Sequence, residues 1–557
     1  IALDPNYAKS HANLGLLLLQ SNKSSAALPH LQRAIELNPE DHETWSNLGI
    51  AHLKVGRNQA AIESLGQALR IAPDDAVAHA NLGAALLECS QTTEALSHIE
   101  QALKVQPNFV DAHVHRGHAL HKMERLQESM ASFQSALSLH PNNVDALCGL
   151  GNVHMTMSAF GQAASCFEQA HAHEPQNSGL LLNLANACVE INRVGEAIEL
   201  LSRYIADQPS DPRGHYNLAV AYLKDNQVGQ AIASFDETLR LDPHHHDALF
   251  SKSLALLVRG DYELGWPLYE KRWDNSQSKI SAKKTNQHLW SGKQDLKGKT
   301  IFTYAEQGLG DTIQFSRYLP LLQATGARIV CEVQTPLLSL MSGSFGSNIT
   351  WISGESLPAF DVHCPLMTLP LAFGTTTENI PWADSYLTAD HTQRLSWQGF
   401  LGTKSKPRIG LVWAGSATHR NDHNRSIPAA TLLSHLPDGF DYICLQKEIR
   451  PDELVLMSER GVLDCSDQLH DMSDTAALCA EMDLILSTDT SVAHLAGALG
   501  RPTWVLLPYC PDWRWLLHRT DSPWYASMRL FRQDSRRSWD ALLPEVKSHL
   551  RRYNFIP

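Results

Sequence analysis

The chain has 557 residues, 43% hydrophobic and 19% charged, with a formal net charge of −13. That length accommodates several domains with substantial cores. No run of about 18 apolar residues offers a membrane span, and the acidic balance argues against a general nucleic-acid binder. The ten cysteines are scattered without C-x-x-C spacing and read as reduced, mostly small core residues of a cytoplasmic protein. The sequence opens at Ile1, inside a repeat, and reads as a piece of a longer chain.

Residues 1–275 are read as a repeat array. Pro5, Pro39, Pro73, Pro107, Pro141, Pro175, Pro209 and Pro243 are each 34 residues apart. Small residues keep the same period at Gly15, Gly49, Gly83, Gly117, Gly151, Ala185 and Ala219. Ala27, Ala61, Ala95, Ala163, Ala197 and Ala231 hold a second small position, with Ser129 in their series. Leu31, Leu65, Ile99, Phe133, Phe167, Leu201 and Phe235 supply the bulk between the helices. The pattern is that of tetratricopeptide repeats, one helix pair each, stacked because no pair buries its apolar face alone. Seven full repeats are expected over 8–245, forming an all-α superhelix. Residues 246–275 are a degenerate capping repeat whose Trp266, Tyr269 and Trp273 dock it on the C-terminal half of the chain.

Asn13, Asn47, Asn81, Asn183 and Asn217 share one position of the first helix, broken by His115 and Gly149. An amide there can pair with the backbone of an extended peptide, or it can bond within its own repeat. The series resembles the asparagine ladder of the eukaryotic O-GlcNAc transferase superhelix, which implies an acceptor protein in the groove. Three adjacent histidines, 244–246, cannot converge well on one metal and read as an exposed turn.

Residues 276–296 are polar and read as linker. The next segment, 297–404, is expected to be a first Rossmann-like domain. Its strands are 300–305, 328–333, 348–352 and 361–366, and a helix begins near Thr312. The turn between the first strand and that helix, Glu306 to Asp311, contains Gly308 and Gly310. It is neither G-x-G-x-x-G nor a P-loop, so it gives no support to dinucleotide or ATP binding. A second such domain is expected over 405–535, with strands 408–412, 442–445, 462–464, 483–486 and 503–507. Trp413-Ala414-Gly415-Ser416 follows its first strand, with Arg420 and Arg425 beyond, and Lys447 follows the second. Arg425 and Lys447 are candidate anion partners or solvated surface cations. Thr488-Asp489-Thr490-Ser491 opens a helix carrying His494, which Gly500 and Pro502 stop. Such a helix end, just past a buried parallel strand, is a ready anion site. Trp513, Trp515, Trp524 and Tyr525 either wall the cleft or pack a C-terminal helix, 536–557, against the domains.

The run DTSVAHLAGALGRP, residues 489–502, resembles the donor segment of heptosyltransferase-like glycosyltransferases. The resemblance implies an α/β GT-B module of two facing Rossmann-like domains. It implies a nucleotide-sugar donor held by Gly415, Ser416, Arg425, Lys447, Asp489, Thr490, Ser491 and His494, without metal or other cofactor. A Gly-x-Gly-Asp turn in that family faces the acceptor, which points to Gly308 and Gly310 as acceptor-side residues and Asp311 as general base, with Glu306 as fallback. Asp311 is equally placed to be a helix cap. The repeats and the lack of a basic patch suited to lipopolysaccharide favour Ser or Thr of a protein as acceptor, with flagellin the first candidate by resemblance to bacterial flagellin-modifying enzymes. Transfer to a glycan or lipid, and a non-catalytic scaffold, are the alternatives.

Overall fold

The computed structural model describes residues 6–275, 287–354, 357–381, 384–416 and 421–553. Pro5, Arg420 and residues 276–286 of the expected linker lie outside them. The chain divides into two compact units, Ile1–Ala221 and Tyr222–Pro557. Compactness thus parts the chain inside the seventh repeat, whereas the change from helix to sheet comes after Trp273.

The first unit is all helix, in pairs such as Ala8–Gln20 with Ser24–Leu37 and His42–Lys54 with Asn58–Ile71. A Cβ at Gly15, Gly49, Gly83, Gly117 or Gly151 would collide with Leu31, Leu65, Ile99, Phe133 or Phe167 respectively. The small residues therefore let the two helices of a pair close on one large side chain. Those side chains are fully buried, each worth about 1.5–3 kcal/mol. Each turn between paired helices contains one left-handed residue: Asn22, Gly56, Ser90, Glu124, Ser158, Asn192 and, in the second unit, Asn226, with φ between 55° and 74°. A ring N–H also recurs. Trp45, His79, His113 and His215 contact the carbonyl of the proline six residues earlier, at 2.8, 2.9, 2.8 and 3.3 Å.

The second unit takes the last repeat helices and two parallel sheets. The strands are β1 His288–Leu289, β2 Thr300–Tyr304, β3 Arg328–Glu332, β4 Ile349–Ile352, β5 Val362–Pro365, β6 Arg408–Val412, β7 Asp441–Cys444, β8 Val462–Leu463, β9 Leu484–Thr488, β10 Thr503–Leu507 and β11 Met528–Arg532. The first sheet runs β1-β5-β2-β3-β4 and the second β11-β10-β9-β6-β7-β8. Strands β6, β9 and β10 are buried along their whole length, as expected for parallel strands covered on both faces. The second sheet has the doubly wound order of a dinucleotide-type fold, reversing direction between β6 and β9. The first sheet reverses between β2 and β5. Strand β1 corrects the linker reading, since residues 288–289 pair with β5.

The helix Trp539–Arg552 buries Leu542, Leu543, Val546 and Leu550 against the second sheet. The aromatics after β10 pack elsewhere. Trp513 and Trp524 lie against Tyr262 and Trp266 of the cap helix Tyr262–Tyr269. Trp524 Nε1 donates to the Tyr262 hydroxyl at 3.0 Å, and Trp266 Nε1 to the Thr375 carbonyl at 3.0 Å. All four rings are buried, so Trp513 and Trp524 are unavailable to stack on a base.

Candidate active site

Ligands of doubly wound sheets bind outside the strand C-termini, where the strand order reverses. In the second sheet that point lies beyond β6 and β9. Gln446 is buried there, and its Oε1 accepts the N–H groups of Trp413 and Ala414 at 2.6 and 2.8 Å. Gly415 N–H donates to Ser426 Oγ at 3.2 Å, and a Cβ on Gly415 would strike the Arg425 guanidinium. Arg425 in turn donates to the Asp489 carbonyl at 3.3 Å and to Asp422 at 3.3 Å. Gly415, Arg425 and Asp489 are therefore brought together. Ser416 lies at the described end of this loop. Lys447 is not part of the group: it is exposed and donates to the His470 carbonyl at 2.9 Å.

Thr490 is the N-cap residue of the Ser491–Ala498 helix, but its side chain does not cap it. The hydroxyl instead pairs with Ser487 Oγ at 3.0 Å, so the first-turn N–H groups keep their capacity for an anion. Burial, helped by Asp512, pushes the Asp489 carboxyl up to about 6. The His494 ring stacks on Trp515 with centroids 5.3 Å apart. Its Nδ1 is 3.0 Å from the Tyr525 hydroxyl and its Nε2 3.9 Å from Asp489 Oδ1. Burial, then Arg514 and Arg317, hold its pKa well below the ordinary histidine value. The ring is thus held in its neutral form at pH 7.

The first sheet reaches the same place. Its helix is Leu309–Phe315 with Gly308 as N-cap, three residues earlier than expected. The earlier start is held by Asp311, whose Oδ2 accepts the Gly308 N–H at 2.9 Å. A Cβ on Gly310 would stand 2.9 Å from His494 Cδ2 and 3.4 Å from Ser491 Cα. The space beside Gly310 thus belongs to the second sheet's helix, where the sequence reading left it for an acceptor. Arg514 donates to the other Asp311 oxygen, to Asp512 at 2.8 Å and to Gln314 Oε1 at 2.8 Å. Gln314 Nε2 and Thr488 Oγ1 are buried and have no partner among the described residues.

Glu306, two residues past the end of β2, is engaged by the cap repeat. Both its oxygens take Arg272 of the cap repeat, at 3.1 and 3.2 Å. Arg272 is wholly buried and also meets Glu270 and Thr368 at 2.6 and 2.7 Å. Burial pushes the Glu306 carboxyl up to about 7 against the pull of Arg272.

In the first unit, Asn81 Nδ2 donates to Val77 O at 2.8 Å within its own helix. Asn13, Asn47, Asn183 and Asn217 have no hydrogen bond from their amides to the described residues and are exposed or half-buried. Among the described residues no three His, Cys, Asp or Glu side chains are grouped to hold a metal, and no helix is long and apolar enough to cross a membrane. All ten cysteines are free thiols, most of them buried.

Models described as tetratricopeptide repeat match residues 52–120 and 154–221, and 13–76 and 216–274. A TPR-repeat model matches 117–158. Residues 13–274 are tetratricopeptide repeats. The chain is similar in part to curated and solved proteins. Protein FlbA of Caulobacter vibrioides is 26% identical over 328 residues, 54% of this chain and 54% of that protein. The chain therefore spans about half the length of this curated relative. The chain is also similar in part to the Cut9–Hcn1 hetero-tetramer of APC/C, with a TM-score of 0.40 at 20% identity over 43% of this chain and 47% of that one. For YrrB, a TPR protein with an unusual peptide-binding site, the TM-score is 0.30 at 20% identity, over 35% of this chain and 100% of that one.

Arg514, Arg317, Gln446 and Tyr525 carry no sequence signal for a site. Arg514 is legible only as part of a Trp-rich loop, Tyr525 only as one of its aromatics, and Gln446 only as the neighbour of Lys447.

Proposed function

We propose that the chain is a metal-independent GT-B glycosyltransferase, moving a sugar from a nucleotide-sugar donor to Ser or Thr of a protein held by the repeats. One arrangement supports this above the others. The Leu309–Phe315 helix meets the Ser491–Ala498 helix at Gly310, so a candidate base and an uncapped helix N-terminus share one junction. In this reading the donor diphosphate sits on the N–H groups of Thr490 and Ser491, with Arg425 and the Gly415–Ser416 backbone alongside. Asp489 takes sugar hydroxyls.

The four open asparagine amides favour an extended peptide as acceptor, and flagellin is the first to assay. A second reading, a non-catalytic repeat scaffold, is favoured by the fact that both Asp311 oxygens already have partners.

A thermal-shift panel of UDP, GDP, ADP, CMP and their sugars separates the two. A true donor at a hundred times its Kd stabilises by about 2.7 kcal/mol, whereas the scaffold answers none. Transfer should persist in excess EDTA. Activity lost to EDTA and restored by Mn²⁺ would exclude metal independence.

A further inference from the structure

Arg317 is wholly buried, and its partners are neutral. Its nitrogens donate to the carbonyls of Gln314 at 2.8 Å and Trp524 at 2.7 Å, and to the Tyr386 hydroxyl at 3.2 Å. Its guanidinium carbon lies 4.6 Å from the centre of the Tyr525 ring. Tyr386 passes its own proton to the Ile313 carbonyl at 3.0 Å. The Tyr525 hydroxyl is also kept protonated, because burial raises its pKa well above 10. That proton needs an acceptor, and His494 Nδ1 is 3.0 Å away. On its other side the ring faces the Asp489 carboxylate with Nε2. A neutral imidazole has one N–H and one bare nitrogen. Placing the proton on Nε2 leaves Nδ1 bare for the Tyr525 hydroxyl and turns an N–H toward the carboxylate 3.9 Å away, whereas placing it on Nδ1 would turn a lone pair toward that carboxylate.

We propose that Tyr525, pinned beneath the Arg317 guanidinium, is a positioning residue that fixes His494 as the neutral Nε2–H tautomer. The ring then offers a hydrogen-bond donor to a phosphate seated at the head of the Ser491–Ala498 helix. The second statement rests on the donor-site reading and the first does not. The charged and titratable groups around the ring are Asp489 from the end of β9, Arg514 and Tyr525 from the segments after β10, and Arg317 beyond the Leu309–Phe315 helix. Two of these are fixed cations, and they oppose a proton on the ring. The ring therefore stays neutral where an ordinary histidine titrates, and its Nε2–H form is favoured where Asp489 is ionised, above about pH 6.

The test uses the full chain with ¹⁵N-labelled histidine rings, His494 being identified by the signals lost in His494→Gln. The expected result is a protonated Nε2 and a bare Nδ1 at pH 7. Tyr525→Phe should mix the two tautomers and weaken binding of inorganic pyrophosphate about tenfold, the range for one hydrogen bond to a charged group. A ring found as Nδ1–H or as imidazolium at pH 7 in the unaltered protein overturns the assignment, even if Tyr525→Phe fails to fold. An Nε2–H ring that does not respond to saturating pyrophosphate overturns the phosphate role and, with it, that part of the donor-site reading.

Discussion

Arg514, on the loop after β10, closes on the carboxylate of Asp311, on the first turn of the helix after β2. One sheet of the second unit thus supplies the cation that orients the other sheet's candidate base. The same contact competes with a substrate proton for that carboxylate.

The two roles open to Asp311 differ in size of effect. As a cap alone, its loss costs about 1 kcal/mol of stability and leaves turnover nearly intact. As a general base, its loss costs on the order of 10²–10⁴ in rate with folding and nucleotide affinity kept. We expect the second pattern for Asp311→Asn and Asp311→Ala, read from transfer rate, melting temperature and nucleotide affinity. Near-normal turnover with a lower melting point would make Asp311 a cap.

Gly310→Ala should be destabilising, although replacing glycine by alanine in a helix ordinarily gains about 0.8–1 kcal/mol. The added methyl would meet His494 Cδ2 at 2.9 Å in a packed junction, an overpacking cost of about 1–3 kcal/mol. Calorimetry decides the sign. A variant that melts higher would mean that the two helix heads do not meet as described.

Replacing Asn47, Asn81, Asn183 and Asn217 together by alanine should weaken protein glycosylation. Each lost hydrogen bond is worth about 0.5–1.5 kcal/mol, so acceptor affinity should fall at least about tenfold. Alanine is the better helix former, and only Asn81 gives up an internal bond, so the melting point should hold. Hydrolysis of the nucleotide sugar should survive. Equal loss of both activities would show that the array had simply unfolded.

Asp489 gives a pH dependence of definite sign. Its folded pKa of about 6 lies above the 3.8 of a free aspartate, so the folded state holds the proton more tightly. The stability this group contributes is present below about pH 4 and is lost as pH rises to 6. Asp489→Asn removes that loss. The variant should match the unaltered protein near pH 4 and exceed it above pH 6, by on the order of 1–3 kcal/mol. A melting difference that stays constant from pH 4 to 7 would contradict the burial of an ionised Asp489.

The repeats were legible because a 34-residue period survives every local exception. Strand β9 was legible as a short apolar run ending in small polar residues, and β6 as the apolar run before Trp413-Ala414-Gly415-Ser416. The left-handed turn residues escaped notice since only Gly56 announces one, and the asparagine, serine and glutamate at the other turns tolerate the conformation. Strand β1 is two residues long and gets its pairing entirely from β5. Strand β11, MRLFR, interleaves arginines with apolar residues and reads as amphipathic until Leu530 and Phe531 are seen buried beside β10. The start of the Leu309–Phe315 helix was hidden by its glycines, which ordinarily mark a turn. The contacts of Arg514 and Tyr525 join positions about 200 and 31 residues apart, and no local pattern announces them.

Arg272 belongs to the last repeat, yet its charge is neutralised by Glu306 at the end of β2. Arg272 also has Glu270 beside it in the same segment, but removing Arg272 would leave the buried Glu306 carboxylate without its guanidinium partner, at a cost of about 3–5 kcal/mol for such a break. The cap repeat is thus an inherited part of the sheet-bearing half rather than an exchangeable accessory. Where nature or an engineer lengthens, shortens or swaps the array, the tolerated splice lies upstream, among the repeated helix pairs of the first unit.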